Sequence, residues 1–507
     1  MSRLSRNIAA SLLRVVANVI ISLALPAYLV SRLPVAVYSA WILILQLGAY
    51  VSFLDLGIQT SVAKFVAEFE AKEDNETASQ YASAGLAMTS AMAFCGMLLT
   101  LILAWQVPRL FSSMPALLQG EARLSVVLVG VSLSVLLLCS VFAAVFIGLQ
   151  RYAVPNAILV VNRVLVTVSV CIAVFFQGGL RIMAGAFAVV NLVTAGLQVF
   201  CWRKMAANIA ISFSRVSRII FSRMVHYSAY LAIWSVGMLL VSGLDVTIVG
   251  HFDFKRTAFY AIAVMPTNLL LLVISSVIGP MMPASAAMST RRSPIEMGVV
   301  FMRVSRYAVL LLLLVGLPLI VFGYPILRIW VGAYYAANCL LYLRILLLAN
   351  IIRNACLPYA TMVIATGRQK AATGATVAEA VVNVAASVFL ASRFGAIGVA
   401  YGTLLGSLVS LSMHLMLSMK LTQDALHFSR RNLLVRGFAR AATVTGPSIC
   451  VLALQRYSQV AANQPATFVA WFVGTALLTW LIALDRRDRE EFLGRISRAF
   501  SNSVRSV

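Results

Sequence analysis

Long apolar runs separated by short polar turns make up most of this chain. Runs of 18 or more apolar residues have the length of a helix that crosses a bilayer, whereas a transmembrane barrel needs short alternating segments. The pattern predicts an all-α polytopic membrane protein with about fourteen transmembrane helices. The expected spans are about 8–31, 35–57, 81–107, 124–148, 156–177, 182–201, 226–250, 258–283, 299–322, 340–363, 371–391, 395–419, 439–455 and 466–484. The first of these we interpret as a retained helix, because no convincing signal-peptide cleavage site follows it.

Composition agrees with this pattern and narrows the function. The chain of 507 residues is 61% hydrophobic and 11% charged, and a soluble protein could not bury that much apolar surface. The predicted connections are too short for a soluble domain, which argues against a glycan polymerase or ligase. No P-loop motif is present, so we expect no nucleotide and no other cofactor. The four histidines lie too far apart in the sequence to suggest a metal site, and His226 and His414, near span ends, are expected to be interfacial.

The net charge of +24 reflects membrane topology. With fourteen spans and a cytoplasmic N-terminus, 28 of the 40 Lys and Arg residues fall on cytoplasmic segments and nine on outer loops. This asymmetry is what the positive-inside rule requires. It predicts both termini in the cytoplasm and attraction to anionic membrane lipids, and it gives no reason to expect nucleic acid.

Weak internal similarity suggests that the chain contains two related halves. At an offset of 217 residues Gly178 aligns with Gly395, and at an offset of 222 residues Tyr38 aligns with Tyr260. An even offset in span number gives both halves the same orientation, as in the parallel repeats of transporters. The predicted units are an N-lobe at 1–205, a C-lobe at 222–420, two additional spans at 439–484 and a basic tail at 485–507.

Several segments resemble those of one transporter family. The segment "FLDLGIQTSVAKFVAEFEAKED" (53–74) resembles the start of the polysaccharide flippase family, within the multidrug/oligosaccharidyl-lipid/polysaccharide exporter superfamily. The segment "LDVTIVGHFDFKRTAFYAIA" (244–263) resembles its seventh-to-eighth span junction, and "ILRIWVGAYYA" (326–336) its ninth-to-tenth loop. The likeness extends to 365–403, which is similar to its eleventh and twelfth spans, and it covers nearly the whole chain.

The resemblance implies two six-helix lobes around a central cavity and transport by alternating access. The implied cargo is a polyprenyl-diphosphate-linked oligosaccharide, which moves from the inner to the outer leaflet of a bacterial inner membrane for polysaccharide synthesis. Polysaccharide-assembly proteins are the implied partners. A drug or organic-cation antiporter of the same superfamily is the alternative, and in that branch an acidic cavity is expected.

Span ten carries a cation inside an apolar run. Asn350, Arg353 and Asn354 fall at i, i+3 and i+4, so they share one helix face. An arginine at the bilayer centre costs roughly 2.5–3.5 kcal/mol on insertion scales, and such arginines face protein or water. Because guanidinium binds phosphate oxygens through two parallel hydrogen bonds, we expect these three residues to bind the cargo.

Span five has a similar polar face, formed by Asn156, Arg163 and Thr167. A central cavity lined by Arg163 and Arg353 would attract a diphosphate, so Arg163 is also a candidate substrate-binding residue. We add Arg14, in the first turns of span one, to this set. A close GxxxG pair at Gly402 predicts helix packing.

Two carboxylates are placed to carry a proton or Na⁺, Asp245 on span seven and Glu379 on span eleven. A structural alternative stays open for each charged group. Arg353 and Glu379 could pair with each other across two helices, in which case Glu379 would not carry an ion. Arg14 and Arg344 lie close to span ends and could extend to lipid phosphates.

The predicted topology can be tested by cysteine labelling. Single cysteines placed in 110–120 and 458–464 should react with a membrane-impermeant thiol reagent from outside the cell, because both segments are predicted outer loops. Cysteines at 425–430 should react only from the cytoplasmic side. Protection at the first two segments together with outside labelling at 425–430 would invert the topology.

Overall fold

The structure is a computed structural model that describes residues 3–289, 292–458, 464–486 and 488–490, and this part of the chain contains no β-strand. The helices are α1 Arg3–Arg32, α2 Val35–Phe53, α3 Ile58–Glu70, α4 Asn75–Leu110, α5 Ala116–Gly148, α6 Ala153–Phe175, α7 Leu180–Met205, α8 Arg218–Met238, α9 Asp245–Phe252, α10 Thr257–Ile278, α11 Met281–Ser289, α12 Pro294–Val321, α13 Gly323–Asn354, α14 Leu357–Ala365, α15 Gln369–Phe394, α16 Ala396–Leu421, α17 Arg430–Tyr457 and α18 Pro465–Ala483.

Among the described residues, thirteen helical stretches are long and apolar enough to cross a membrane. Several consist of two helices in series, such as α2 with α3 and α13 with α14. The first predicted span falls in α1, a helix of 30 residues whose side chains are described from Asn18 to Arg32. The predicted fold class, an all-α polytopic membrane protein, is confirmed. The side chain of Arg14 and the tail at 491–507 lie outside the described part of the chain.

The turn between α2 and α3 depends on glycine. Gly57 has φ +79°, a left-handed conformation that other residues adopt only with strain. A Cβ at this position would also lie 2.4 Å from Cβ of Leu231 on α8. The Asp55 carboxylate lies at the start of α3 and accepts a long hydrogen bond of 3.4 Å from the Gln59 amide.

The prediction of a loop at 326–336 is wrong. This segment is helical on both sides of one kink at Gly332, where φ is +86° and ψ is 164°. The apolar residues around the kink continue the helix on each side, so a single left-handed glycine replaces the expected loop.

The first compact unit comprises Met1–Met265 and Val384–Gly402. One of its cores lies where α3, α4 and α5 pack, around Phe65 and Tyr81, whose rings stack with centroids 4.4 Å apart. Gly85 on α4 permits this approach, because a Cβ there would lie 2.3 Å from a Val62 methyl group.

The second compact unit comprises Pro266–Asn383 and Thr403–Val507. Its core includes Phe301, Tyr359 and Phe428, with Phe301 in ring contact with both of the others. Near this core α12 begins with a capping box: the Ser293 hydroxyl accepts from the Glu296 amide, and the Glu296 carboxylate accepts from the Ser293 amide. The division into lobes at 1–205 and 222–420 stays a prediction.

A buried ion network joins α12 to the segment that follows α18. Arg306 is buried and pairs with both Asp485 and Asp488. Asp488 is also buried, and it accepts hydrogen bonds from Arg303 at 2.8 Å and from the Tyr307 hydroxyl at 2.5 Å. The sequence pattern counted Arg303 and Arg306 only as cytoplasmic positive charges. It could not predict this network, because the aspartates lie about 180 residues away in the sequence.

The same network shifts the titration of Asp488. Burial alone would raise the pKa of this carboxyl, but hydrogen bonds from Tyr307 and Arg303 and the charge of Arg306 outweigh burial. The pKa of Asp488 is therefore held below its ordinary value. A lowered folded-state pKa stabilises the protein above the ordinary aspartate pKa, and that stabilisation is lost as the pH falls through the folded value.

We expect Asp488→Asn to lower thermal stability most at neutral pH. The variant removes the charge of one of the two carboxylates that pair with Arg306, and because Asp485 remains, the loss should be about 1.5–3 kcal/mol, the value of hydrogen bonds to a charged group. The Tm difference from wild type should begin to shrink below about pH 4, where the carboxyl of the unfolded chain takes up a proton, and should disappear once the folded carboxyl is protonated as well. Glu490→Gln is the control, because Glu490 is exposed and its pair with Arg486 is worth little. A Tm difference that does not change with pH would contradict this account.

Candidate substrate and ion sites

The structure pairs Arg353 with Glu379. Arg353 lies in the last turn of α13 and Glu379 on α15, and the Arg353 Nε–H donates to the Glu379 carboxylate. Both side chains are largely buried, with 17% and 6% of their surface exposed. Of the two arrangements that the sequence left open, the structure contains the ion pair. Each charge therefore offsets the desolvation of the other.

The pair leaves part of the Arg353 guanidinium unused. Its Nη2 atom is buried and has no hydrogen-bond partner among the described residues. A buried donor without an acceptor is costly, and it calls for a ligand, a water molecule or a change of conformation. Arg353 therefore combines a structural contact with a free donor.

The neighbouring asparagines bond to their own helix. The Asn350 side-chain amide donates to the Leu346 carbonyl at 2.9 Å, and that of Asn354 donates to the Asn350 carbonyl at 2.8 Å. One N–H of each amide is satisfied in this way. The predicted face of Asn350, Arg353 and Asn354 is thus present on α13, and only its arginine reaches across to another helix in the contacts described.

Thr376, Glu379, Asn383 and Ser387 form a polar stripe along α15, at spacings of three and four residues, and Asn383 and Ser387 pack against α16. A Cβ on Gly402 would lie 2.3 Å from the Ser387 hydroxyl, and a Cβ on Gly406 would lie 2.9 Å from Cβ of Asn383. Asn383 and Ser387 are fully buried. The GxxxG pair, Gly402 and Gly406, therefore serves packing within the chain, as the sequence predicted.

Arg163 occupies a different environment from the residues predicted to share its face. Its side chain is exposed on α6 and makes no hydrogen bond or ion pair within the described part of the chain, whereas Asn156 is buried. The residue beside it, Asn162, donates to Asn191 at 3.1 Å and to Thr194 at 2.9 Å. Sequence reasoning missed Asn162, although its position next to an intramembrane arginine was a usable signal.

Asp245 is buried at the start of α9, directly after a π-helical segment at Leu239–Gly243. It accepts a hydrogen bond of 3.3 Å from the Tyr260 hydroxyl. Two α2 residues that sequence reasoning missed lie at the same break: the Gln46 amide and the Tyr50 hydroxyl donate to the Gly243 carbonyl at 2.7 and 3.2 Å. Their signal was a pair of polar residues at i and i+4 on an apolar span.

Two further expectations are corrected. Arg344 does not extend to lipid phosphate: it donates to the Ile320 carbonyl at 2.9 Å and to Gln455 at 2.6 Å, and so caps the end of α12. His414 is buried against Tyr359, with ring centroids 5.5 Å apart, and is not interfacial. Both residues find partners on helices that lie far away in the sequence.

The described residues contain no group of three or more His, Cys, Asp or Glu side chains that could hold a metal ion. Each candidate site residue that the structure describes is characterised within its own unit. The Arg353–Glu379 pair lies in the second unit, and Arg163 and Asp245 lie in the first.

Neither a protein-family model nor a curated protein matches this sequence. Solved structures do match in fold. An inward-facing multidrug resistance MATE family transporter of the MOP superfamily has a TM-score of 0.68 at 15% identity, covering 80% of this chain and 95% of that chain. Lipid II flippase MurJ, in an inward closed conformation, has a TM-score of 0.68 at 12% identity, covering 92% of this chain and 99% of that chain.

A MOP superfamily transporter from Pyrococcus furiosus has a TM-score of 0.54 at 14% identity, covering 84% of this chain and 95% of that chain. At sequence identities of 12–15%, the similarity shows a shared fold only. The chain is a multi-pass membrane protein with the fold of MATE and MurJ transporters.

The ion pair predicts a specific pattern of stabilities. Arg353→Ala should destabilise the protein by roughly 3–5 kcal/mol, because it leaves the Glu379 carboxylate buried without a partner. Glu379→Ala should have a similar effect, and the double variant should recover most of the loss. The measurement is thermal unfolding in detergent of the two single variants and the double variant.

Arg163→Ala is the matched control, since it removes an intramembrane arginine that has no partner in the described structure. It should leave the Tm close to that of wild type. Single and double variants whose losses simply add would show that Arg353 and Glu379 do not interact.

Proposed function

We propose that this protein is a flippase that moves a polyprenyl-diphosphate-linked oligosaccharide from the inner to the outer leaflet of a bacterial inner membrane. The observation that carries the proposal is the sign of the charged groups that remain unpaired within the described spans. Arg163 has no partner among the described residues and Arg353 keeps a free donor. The carboxylates Glu379 and Asp245 are each already engaged.

An excess of cationic donors favours an anionic cargo. A diphosphate carries negative charge on several oxygens, and guanidinium groups bind such oxygens through short, charge-assisted hydrogen bonds. In this proposal Arg163 and Arg353 bind the diphosphate, with Arg14 as a further cation. Asn350 and Asn354 retain one amide hydrogen and the side-chain carbonyl oxygen each, which suit sugar hydroxyl groups.

An apolar cavity of about 610 Å³ supports a cargo with a hydrocarbon tail. It lies beside α12 and α18, and its lining includes Leu314, Pro318, Phe468 and Trp471. A polyprenyl chain in the bilayer is already out of water, so its gain in this cavity would come from van der Waals packing against the apolar lining. We therefore assign this cavity to the tail of the cargo.

The energy for transport is proposed to come from an ion gradient or from consumption of the flipped product. Glu379 was a candidate carrier of a proton or Na⁺, but its carboxylate is paired with Arg353. We therefore propose Asp245 for the coupling role, since it is a buried carboxylate that accepts a hydrogen bond from the Tyr260 hydroxyl. Polysaccharide-assembly proteins are the proposed partners.

The organic-cation antiporter has the same fold and is the competing function, because MATE transporters match this chain as well as MurJ does. A cationic drug requires carboxylates that are free to receive it. In the described spans, Asp245 is hydrogen-bonded to Tyr260 and Glu379 is paired with Arg353. Because these carboxylates are already engaged, an anionic cargo is favoured over a cationic one.

The proposal is tested by transport in proteoliposomes. We expect the purified protein to move a fluorescent polyprenyl-diphosphate oligosaccharide between leaflets and to leave ethidium gradients unchanged. Arg163→Ala should lower the rate roughly tenfold or more, since a charge-assisted hydrogen bond is worth about 1.5–3 kcal/mol. Arg163→Lys should retain part of the activity, because it keeps the charge without the bidentate geometry.

Arg181→Ala is the control for a change of charge on an exposed arginine at a span end. It should transport at the wild-type rate. Ethidium transport without lipid movement would favour the antiporter, and a stable Arg163→Ala protein with full flipping activity would remove Arg163 from the cargo site.

A further inference from the structure

Four aromatic rings pack together in the part of the first unit that is predicted to face the cytoplasm. The Tyr81 ring stacks on two others, with centroid distances of 4.4 Å to Phe65 and 5.2 Å to Phe69. The Tyr227 ring meets Phe65 edge to face, at a centroid distance of 5.8 Å. Because these residues lie on α3, α4 and α8, the ring cluster ties three helices of one unit together.

Two cations lie over these rings. The Lys64 ammonium is 4.1 Å from the ring centroid of Tyr227 and 5.0 Å from that of Phe65. The Arg223 guanidinium is 5.4 Å from the same Phe65 centroid, and it donates a hydrogen bond of 3.2 Å to the Tyr81 hydroxyl. A cation over an aromatic face is held in place by the ring quadrupole and keeps its full charge. The ring cluster therefore holds two positive charges close to one ring.

Within the described residues, no carboxylate forms a salt bridge with Lys64 or Arg223. Glu68, one turn after Lys64 on α3, pairs with Lys72 instead, at 2.9 Å. Both Lys64 and Arg223 are exposed, and the described contacts use one N–H of the Arg223 guanidinium. Two accessible charges that rings hold in place without a counter-ion suit an anionic ligand, because little freedom is lost when it binds.

The length of the helices places both cations near the membrane surface. The stretch Val35–Glu70, formed by α2 and α3, has 36 residues. At the usual helical rise this length spans roughly 54 Å, whereas the hydrocarbon core is about 30 Å thick. The predicted span ends at residue 57, so α3 extends beyond the core on the side predicted to be cytoplasmic. Lys64 lies in the last two turns of α3 and Arg223 in the first two turns of α8, at the level of the lipid phosphates.

We propose that Lys64 and Arg223 form a first contact site, at the cytoplasmic membrane surface, for the diphosphate of a lipid-linked substrate in the inner leaflet. The inference rests on the proposed function, in which such a lipid is the cargo. Phosphate oxygens are common to this cargo, to free diphosphate and to anionic phospholipids. A diphosphate carries more charge than the single phosphodiester of a phospholipid, so it is the better match for two neighbouring cations. The site differs in place from Arg163 and Arg353, which lie within the predicted spans.

The test is chemical labelling of lysines in the full-length protein. Purified protein in phosphatidylcholine nanodiscs is treated with sulfo-N-hydroxysuccinimide acetate, and mass spectrometry gives the acetylation rate of each lysine, with farnesyl diphosphate as the probe. At about ten times its Kd the probe should slow acetylation of Lys64 roughly tenfold, because only about a tenth of the sites stay free. Lys204 is the internal control, since it is exposed at the end of α7 on the same predicted side. Its rate should not change.

Variants of Arg223 test whether the two cations act together. In Arg223→Ala the probe concentration that half protects Lys64 should rise roughly tenfold or more, as expected for a lost charge-assisted hydrogen bond. Arg223→Lys should show a smaller rise, because it keeps the charge and loses the planar fork. Arg203→Ala is the matched control, an exposed arginine at the end of α7, and should behave as wild type. Equal protection of Lys64 and Lys204, or an unchanged concentration in Arg223→Ala, would overturn the site.

Further arms distinguish the possible sources of the phosphate. Farnesol should not protect Lys64, since it has the same hydrocarbon chain without the charge. Farnesyl diphosphate should still protect Lys64 in nanodiscs that contain phosphatidylglycerol. If phosphatidylglycerol alone protects Lys64 and the probe adds nothing, the site binds ordinary phospholipid and the assignment to the cargo is wrong. Protection by inorganic diphosphate at the same concentration as farnesyl diphosphate would show that the lipid is not recognised, and would also contradict the assignment.

The labelling does not require transport, so its result is separate from that of the flipping assay. Protection of Lys64 in a protein that moves no lipid would refute the proposed function and leave the diphosphate site in place. Lipid flipping by a protein in which the probe never protects Lys64 would refute the site and leave the function in place.

Discussion

A hydrocarbon environment supplies no hydrogen bonds, so a charged or polar group buried in the spans is costly unless it finds a partner within the protein. Arg353 meets Glu379 across two helices, and Arg344 caps the carbonyl end of α12 together with Gln455. Arg306 meets two aspartates that follow the last helix. Each contact joins segments that are separate in the sequence, so the requirement to satisfy polar groups also holds the bundle together.

Helix breaks in the spans follow the same requirement. The left-handed glycines at Gly57 and Gly332 and the π-helical segment before Asp245 interrupt otherwise long apolar helices. In a membrane such breaks persist only where other groups complete the backbone hydrogen bonding. At Gly243 those groups come from α2, so the stability of the break and the position of α9 depend on the same few side chains.

The charge balance within the spans connects this architecture to function. Paired groups contribute to stability and add no net charge, whereas Arg163 and the free donor of Arg353 remain able to bind a ligand. In a low-dielectric cavity even one unpaired cation acts strongly on an anion. Under the proposed function, the cargo would be selected by which of these few charges are already paired, within a fold that MATE and MurJ transporters share.

The sequence by itself determined the fold class, most span positions and the identity of the intramembrane charges, because apolar length and helical periodicity are local properties. It also placed Arg353 and Glu379 among the few residues able to pair. Only the tertiary structure decided that they do pair, that Arg344 caps a helix and that Asp488 binds Arg306. Those outcomes depend on which helices become neighbours, and side-chain contacts between residues 24 to about 180 positions apart leave no periodic signal in a single sequence.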